Sequence, residues 1–424
     1  CLFALLPYCP LFSPIHHTYG PHVDRAYLQH VLALSYAPWA YRRGRSIELL
    51  RSALEEKFHR APALFASGRE ALLALFYAID LKPGEEVIVQ GFTCVVVPNA
   101  VSAAGGVPVF ADIDRETLNL DIQNIGHLIT ARTRAIICQH TFGIPSETEK
   151  LRALCDERKL LLIEDCAHVL PDESGPKEIG RLGDALLLSF GRDKAISGIT
   201  GGAILVKSSE IANRLREMEA RAADLSWFAV MRLLEYAPRM RLVRSLLWCG
   251  LDKPILKLLG ALRWIPPVVT PQEKKGCMSH LLHRIPNVCA ALALSSLRNL
   301  SALNRHRREL TAFFLQFGHE HGWPVPKSLR KDLPLQKFPL FVHDAQGKRK
   351  LLKRRNIHLD DGWTGCVVCP DTIDLPALGY KWGDDPQAEK VSKQILSLPT
   401  HPTMTLRQAQ ILAEQIDGLI SFLR

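Results

Sequence analysis

Two charged residues pose the first chemical question. Asp165 closes the apolar run LLLIED (160–165), and Lys194 follows the next such run, ALLLSF (185–190), within the stretch SFGRDKAISGITGGAILV (189–206). A carboxylate and an amine at the ends of successive buried strands face one ligand crevice. An amine desolvated there is expected to have a lowered pKa and to form Schiff bases with carbonyl compounds. A buried carboxylate opposite it suits a ring nitrogen that must stay protonated. Together they meet the demands of pyridoxal phosphate, with lysine on the aldehyde carbon and aspartate on the pyridine nitrogen. A phosphate also needs a cradle. SGREAL (67–72) offers small residues leading into a helix, whose first N–H groups bind anions. Ser189 adds a hydroxyl, and Gly198, Gly201 and Gly202 are expected to let the backbone pass close to the cofactor. Each piece is common by itself, since a strand-end Asp is often a helix cap; their order at consecutive strand ends carries the reading.

Those residues require a sheet whose strands end on one edge. From about residue 60 the chain supplies it. VIVQ (87–90), VPVFADI (107–113), RAIICQH (134–140), LLLIED, ALLLSF and GAILV (202–206) read as short continuous apolar strands. ALLALFYAI (71–79), VVVPNAVSAAG (95–105) and SETEKLRALCDERK (146–159) read as the helices between them. The fold class is therefore α/β, a mostly parallel sheet covered by helices on both faces. A smaller α+β block follows, with a long helix at 287–310, a strand at 337–342, a basic helix at 347–355 and a final helix at 405–423. The expected division is an N-terminal arm over 1–60, a large cofactor-binding domain over 61–275 and a small C-terminal domain over 276–424.

Composition narrows the function classes. A chain of 424 residues is long enough for more than one core. The formal charge of +10 invites a nucleic-acid reading, but the basic residues are dispersed and no helix-turn-helix, zinc-finger or RNP pattern is present. No nucleic acid is expected; anionic small substrates or a membrane surface account for the charge. No charge-free apolar run reaches the length of a spanning helix. The opening CLFALLPYCPLF lacks the basic start of a signal peptide and is set aside as a truncated or mis-started terminus. Eleven cysteines without framework spacing fit a reducing, cytoplasmic setting. Cys366 and Cys369 form a single CxxC, without the second pair that a zinc site would need, and no metal is expected.

The segments SGREALLAL, PGEEVIVQGFTCVVVPNAVSAAGGVPVFADID, HTFGIP, LLLIEDCAHVL, GDALLLSFGRDK and ILSLPTHPTMT resemble, in order and spacing, the DegT/DnrJ/StrS family of pyridoxal-phosphate-dependent sugar aminotransferases. The resemblance runs from about residue 60 to the C-terminus, apart from 225–275. It implies the fold type I architecture, with Lys194 as the Schiff-base lysine and Asp165 on the pyridine nitrogen. It places His168 near the cofactor's phenolic oxygen and Ala167 on one ring face, and it assigns the phosphate to Ser189 and the turn at Gly68, Arg69 and Glu70. It implies a homodimer, an amino donor such as glutamate and a nucleotide-linked keto-sugar as acceptor.

Three positions depart from the family pattern. Cys94 stands where an aromatic residue commonly stacks on the ring, leaving Phe92 or another group to replace it. Leu282 stands where an asparagine commonly reaches the neighbouring subunit, with His283 and Arg284 as remaining candidates. Residues 225–267 are longer than usual, rich in Leu, Trp and Arg, with seven Arg/Lys against two acids from Trp227 to Trp264. Prolines at 238 and 254 divide this segment into short helices, which pack on the protein or contact a membrane surface at the inner face. Two further readings stay open: a sugar dehydratase, whose relatives carry histidine in place of the Schiff-base lysine, and a membrane-bound assembly or regulatory protein without turnover.

Overall fold

The computed structural model describes residues 14–246, 251–262, 264–265 and 267–421. The apolar opening stretch set aside above lies outside them. Seven strands form the central sheet: β1 (Ala61–Phe65), β2 (Glu86–Gln90), β3 (Val107–Ala111), β4 (Thr133–Gln139), β5 (Leu161–Asp165), β6 (Ala185–Ser189) and β7 (Gly202–Val206). Their spatial order is β1-β7-β6-β5-β4-β2-β3. Only β7 runs against its neighbours; every other adjacent pair in the sheet is parallel.

Alternation along each strand explains the two covered faces. Ala63, Phe65, Ala185, Leu187, Ile204 and Val206 point to one side, against the helices Gly68–Ala78 and Ser209–Arg221. Leu64, Leu186, Leu188, Ala203 and Leu205 point to the other, against the helices Arg45–Phe58 and Asn287–Arg298. The boundary expected at Gly276 therefore falls ahead of a helix that packs on the large sheet.

The long helix expected over 287–310 is two helices, Asn287–Arg298 and Leu300–Glu320. The break falls at Asn299, whose side chain donates to the Ser295 carbonyl at 3.1 Å and so competes with the helix ladder. In the smaller C-terminal unit, Lys337–Phe341 pairs antiparallel with Ile395–Pro399. Two short parallel pairings stitch this unit to the rest: Ile15–His16 with Ile357–His358, and Thr93–Cys94 with Val368–Cys369. Residues 225–267 form the helices Trp227–Leu234, Tyr236–Leu246 and Asp252–Ala261, with Pro238 and Pro254 in first turns, where a missing N–H costs nothing.

Candidate active site

The antiparallel β7 decides the geometry of the site. Because it enters the sheet at the edge where the parallel strands end, its first residue lies beside their last. Gly202 pairs with Phe65 on one side and Ser189 on the other, and Gln139 and Leu187 both pair with Asp165. The ends of β1, β4, β5 and β6 thus meet at one edge.

At the end of β1, Ser67 caps the helix Gly68–Ala78 and accepts from the Glu70 N–H at 3.3 Å. The amides of Gly68 and Arg69 have no intrahelical partner and carry the positive end of the helix dipole. A Cβ on Gly68 would stand 3.3 Å from the Ser189 Oγ, so the absent side chain leaves that hydroxyl facing the helix start. The Arg69 and Glu70 side chains turn away. The Arg69 guanidinium pairs with Glu273 and donates to the Val268 carbonyl at 2.5 Å. Glu70 accepts from the His283 N–H at 2.6 Å. What Arg69 offers an anion is its backbone N–H, while that of Glu70 is already held by the Ser67 hydroxyl.

The glycines have a different task from the one expected. A Cβ on Gly202 would lie 2.6 Å from the Ser67 carbonyl carbon and closer still to the Gly68 backbone. One on Gly198 would lie 2.7 Å from the Cys289 carbonyl, and one on Gly201, at φ +125°, would meet Ile285. They let protein approach protein, and so bring the Gly68 turn against the end of β6.

Asp165 is buried, and its Oδ1 accepts from the Ala167 N–H at 2.9 Å. Burial lifts its pKa against the opposing pull of that N–H, Lys194 and His140. Lys194 is half-buried. Burial disfavours its charge, but Asp193 above all, with Cys94 and Asp165, opposes that, and its pKa moves up. This reverses the expected lowering: burial alone would depress the lysine, and its neighbour Asp193, with the other groups around it, outweighs burial. The Lys194 carbonyl bonds the buried His22 ring at 2.7 Å, which fixes the loop from below.

His168 is buried between the Phe142 ring, stacked at 5.9 Å, and the Trp363 ring, edge-on at 5.3 Å. Its Nδ1 accepts the Phe142 N–H at 3.1 Å, so the neutral ring carries its proton on Nε2. Burial, with Lys194 and Lys337 nearby, holds its pKa well below the usual range. Phe142 adopts φ +56°, a left-handed conformation rare outside glycine, at the point where its N–H meets His168.

Phe92 does not replace the missing ring stack. It is fully buried, edge-on to Phe142 and Trp363, and belongs to the C-terminal core. Cys94 is half-buried and stands in register with Cys369. Leu282 packs against the sheet, while His283 meets Glu70 and Arg284 pairs with Asp224 at 3.2 Å.

Residues the sequence reading missed support the site from beneath. Glu164 accepts from the Gly180, Leu182 and Gly183 N–H groups and pairs with His140 at 3.1 Å. His140, Glu164 and Cys166 lie close enough to share a cation, but the carboxylate is already satisfied by backbone donors. Lys337 and Asp361 form a buried ion pair at 3.1 Å that borders Asp193 and Arg307. Only His140 carried a signal, as a strand-end residue within HTFGIP.

The donor set fits pyridoxal phosphate on three counts: an open helix start with a hydroxyl against it, a buried carboxyl with one oxygen left over, and a lysine near that carboxyl. Comparison with known proteins agrees. The sequence model of the DegT/DnrJ/EryC1/StrS aminotransferase family matches residues 21–240 and 272–417, leaving out part of the long basic segment. The spore coat polysaccharide biosynthesis protein SpsC of Bacillus subtilis is 31% identical over 384 residues, covering 86% of this chain and 89% of that one. GDP-perosamine synthase of Vibrio cholerae is 32% identical over 217 residues, covering 49% of this chain and 58% of that one. The solved structure of NtdA from Bacillus subtilis with bound cofactor PMP shares the fold, with a TM-score of 0.74 at 20% identity over 98% of this chain and 87% of that one. The chain belongs to the DegT/DnrJ/EryC1/StrS aminotransferase family and is a pyridoxal-phosphate-dependent aminotransferase.

Proposed function

We propose that this aminotransferase moves an amino group from glutamate or a similar donor to a nucleotide-linked keto-sugar. The observation that carries the reading is the meeting of Gly68, Ser189, Asp165 and Lys194 at one sheet edge. The relatives' names, GDP-perosamine synthase and a polysaccharide biosynthesis protein, supply the sugar class.

When bound, pyridoxal phosphate supplies a carbonyl for the lysine and an electron-accepting ring. The amides of Gly68 and Arg69 and the Ser189 hydroxyl would hold the phosphate. Asp165 would keep a proton at the ring nitrogen. Lys194 would hold the aldehyde carbon and serve as general acid and base at the substrate carbon. Ala167 would pack on the ring, and His168 would donate toward the phenolic oxygen. Because Lys194 is held protonated by its neighbours, it must lose a proton before it can be loaded, and loading should quicken as pH rises.

The test is the absorbance of protein loaded with pyridoxal phosphate, before and after borohydride, with peptide mapping of the reduced adduct. The visible band should vanish on reduction, the adduct should map to Lys194, and Lys194→Ala should show neither. An adduct on another lysine would overturn the assignment. Glutamate and keto-sugar nucleotides then test turnover. Lys194 stands against the dehydratase alternative, and a chain that never binds the cofactor would favour the assembly-protein alternative.

A homodimer is part of this reading and is checked by sedimentation of the loaded protein. A second contact is favoured by Phe228, Leu242, Leu258, Leu262 and Trp264, which stand exposed on the 227–261 helices and just beyond them, with Arg232, Arg241 and Lys257 also exposed. We read this face as docking on an anionic membrane surface. No helix among the described residues is long and apolar enough to cross a membrane. Co-sedimentation with vesicles containing anionic lipid, absent with zwitterionic vesicles and lost in Phe228→Ser with Leu258→Ser, is the expected result.

A further inference from the structure

Cys369 belongs by sequence to a CxxC motif with Cys366, but the fold gives it another partner. The Cys366 thiol donates to the Gly362 carbonyl at 2.8 Å. Cys369 instead stands in direct register with Cys94 across the parallel pair Thr93–Cys94 and Val368–Cys369. Backbone bonds fix that register on both sides, from the Thr93 N–H to the Val367 carbonyl at 3.1 Å and from the Val95 N–H to the Cys369 carbonyl at 2.9 Å. Registered residues on neighbouring strands lie about 4.7–4.9 Å apart, inside the Cα separation that a disulfide spans. Both cysteines are free thiols in this structure.

The surroundings favour reaction at Cys94. It is half-buried, whereas Cys369 is buried. The neighbouring Cys369 thiol, with Lys194 and Arg69 nearby, draws the Cys94 thiol below its ordinary value despite burial. Those groups favour the thiolate, the form that attacks disulfides. The same contact, together with burial, pushes Cys369 up, so one sulfur attacks and the other waits.

We propose that Cys94 and Cys369 form a thiol–disulfide switch on the wall of the cofactor site, closed by a small disulfide of the glutathione class. The Cys94 thiolate attacks one sulfur of the small disulfide and displaces one thiolate, leaving a mixed disulfide on Cys94. The charge that suppressed ionisation of Cys369 is then gone. Cys369 gives its proton to solvent, attacks the Cys94 sulfur and displaces the second thiolate. Two protein thiols are oxidised and one disulfide is reduced to two thiols. The bond ties the strand after β2 to the C-terminal unit, and it removes the thiolate beside Lys194. A shift of about 1 Å in a positioning group can cost roughly 100-fold in rate. The inhibition rests on the aminotransferase reading; formation of the bond does not.

The test equilibrates the loaded protein in glutathione buffers of rising oxidised fraction, traps free thiols by alkylation and maps peptides without reduction. The expected result is a Cys94–Cys369 linked peptide, a fall in turnover of roughly 100-fold, and recovery with dithiothreitol. In Cys369→Ser, Cys94 should accumulate as the mixed disulfide with glutathione. The proposal is overturned if Cys94 stays alkylatable when the exposed Cys277 is fully modified, if Cys369 links to Cys366, or if the linked protein turns over unchanged. Should the reduced protein not turn over the sugar, the aminotransferase reading fails, while the peptide map still decides the pair.

Discussion

At the scale of single residues the site is governed by which charges burial allows. Asp165 and Lys194 each pay a desolvation cost, and each is partly offset by the other. Asn at 165 keeps an oxygen for the Ala167 N–H but cannot hold a proton on a ring nitrogen. Asp165→Asn is therefore expected to lower turnover by roughly 10²–10³-fold, in the range of a lost electrostatic contact in a dry site, with little change in melting temperature. A loss in melting temperature parallel to the loss in rate would mean the residue is structural. Cys94 gives a second prediction. The groups facing it are Cys369, Lys194, Arg69 and, farther off, Cys366. With its thiol drawn below the ordinary value, its alkylation by iodoacetamide should stay fast at a pH where an ordinary thiol has slowed. The exposed Cys277 is the comparison in the same digest.

Among the elements, β7 does most to shape the site. By running against the sheet it brings Gly202 between Phe65 and Ser189 and presses the Gly68 turn onto the end of β6. Gly202→Ala puts a methyl group against backbone that no rotamer change can move. The expected cost is about 1–3 kcal/mol of stability, the usual range for overpacking. Pyridoxal phosphate should bind more weakly as well, because the helix start and the Ser189 hydroxyl are pushed apart. Thermal melts with and without the cofactor check both. Gly84, whose added Cβ meets nothing within 4 Å but whose φ is +83°, should cost stability with no effect on the cofactor.

Over the whole molecule, a cluster of buried neutral histidines sets the response to acid. Burial lowers His16, His17 and His168, and it brings His22 down to about 4 and His401 to about 3. Each binds a proton more readily unfolded than folded, so each contributes stability that is present above the unfolded value near 6.5 and lost as pH falls toward the folded one. Asp165, Asp385 (raised to about 7) and His283 act in the opposite sense and are fewer. Each histidine contributes a limiting slope of about 1.4 kcal/mol per pH unit. The melting temperature is therefore expected to drop between pH 6.5 and pH 4.5. A flat profile across that range would show that these rings are not buried in the neutral form.

Much of this protein was legible in its sequence. Continuous apolar strands between helices defined the α/β sheet, because a strand buried on both faces cannot alternate. Lys194, Asp165, Ser189 and the SGR turn stood out because they fall, in order, at consecutive strand ends. Local chemistry also showed that Pro238 and Pro254 divide their segment into short helices. Other features depended on residues far apart in sequence. The upward pull on Lys194 comes from charges converging across elements, and the fully buried Phe92 is held by Phe142 and Trp363. The glycines serve backbone packing because β7 reverses direction, which no local pattern announces. The pairing of Cys94 with Cys369 joins strands 275 positions apart. Sequence determined what each segment prefers by itself, since propensity and periodicity are local; tertiary structure decided which groups share a boundary with water and with one another, and that sets their charge and reactivity.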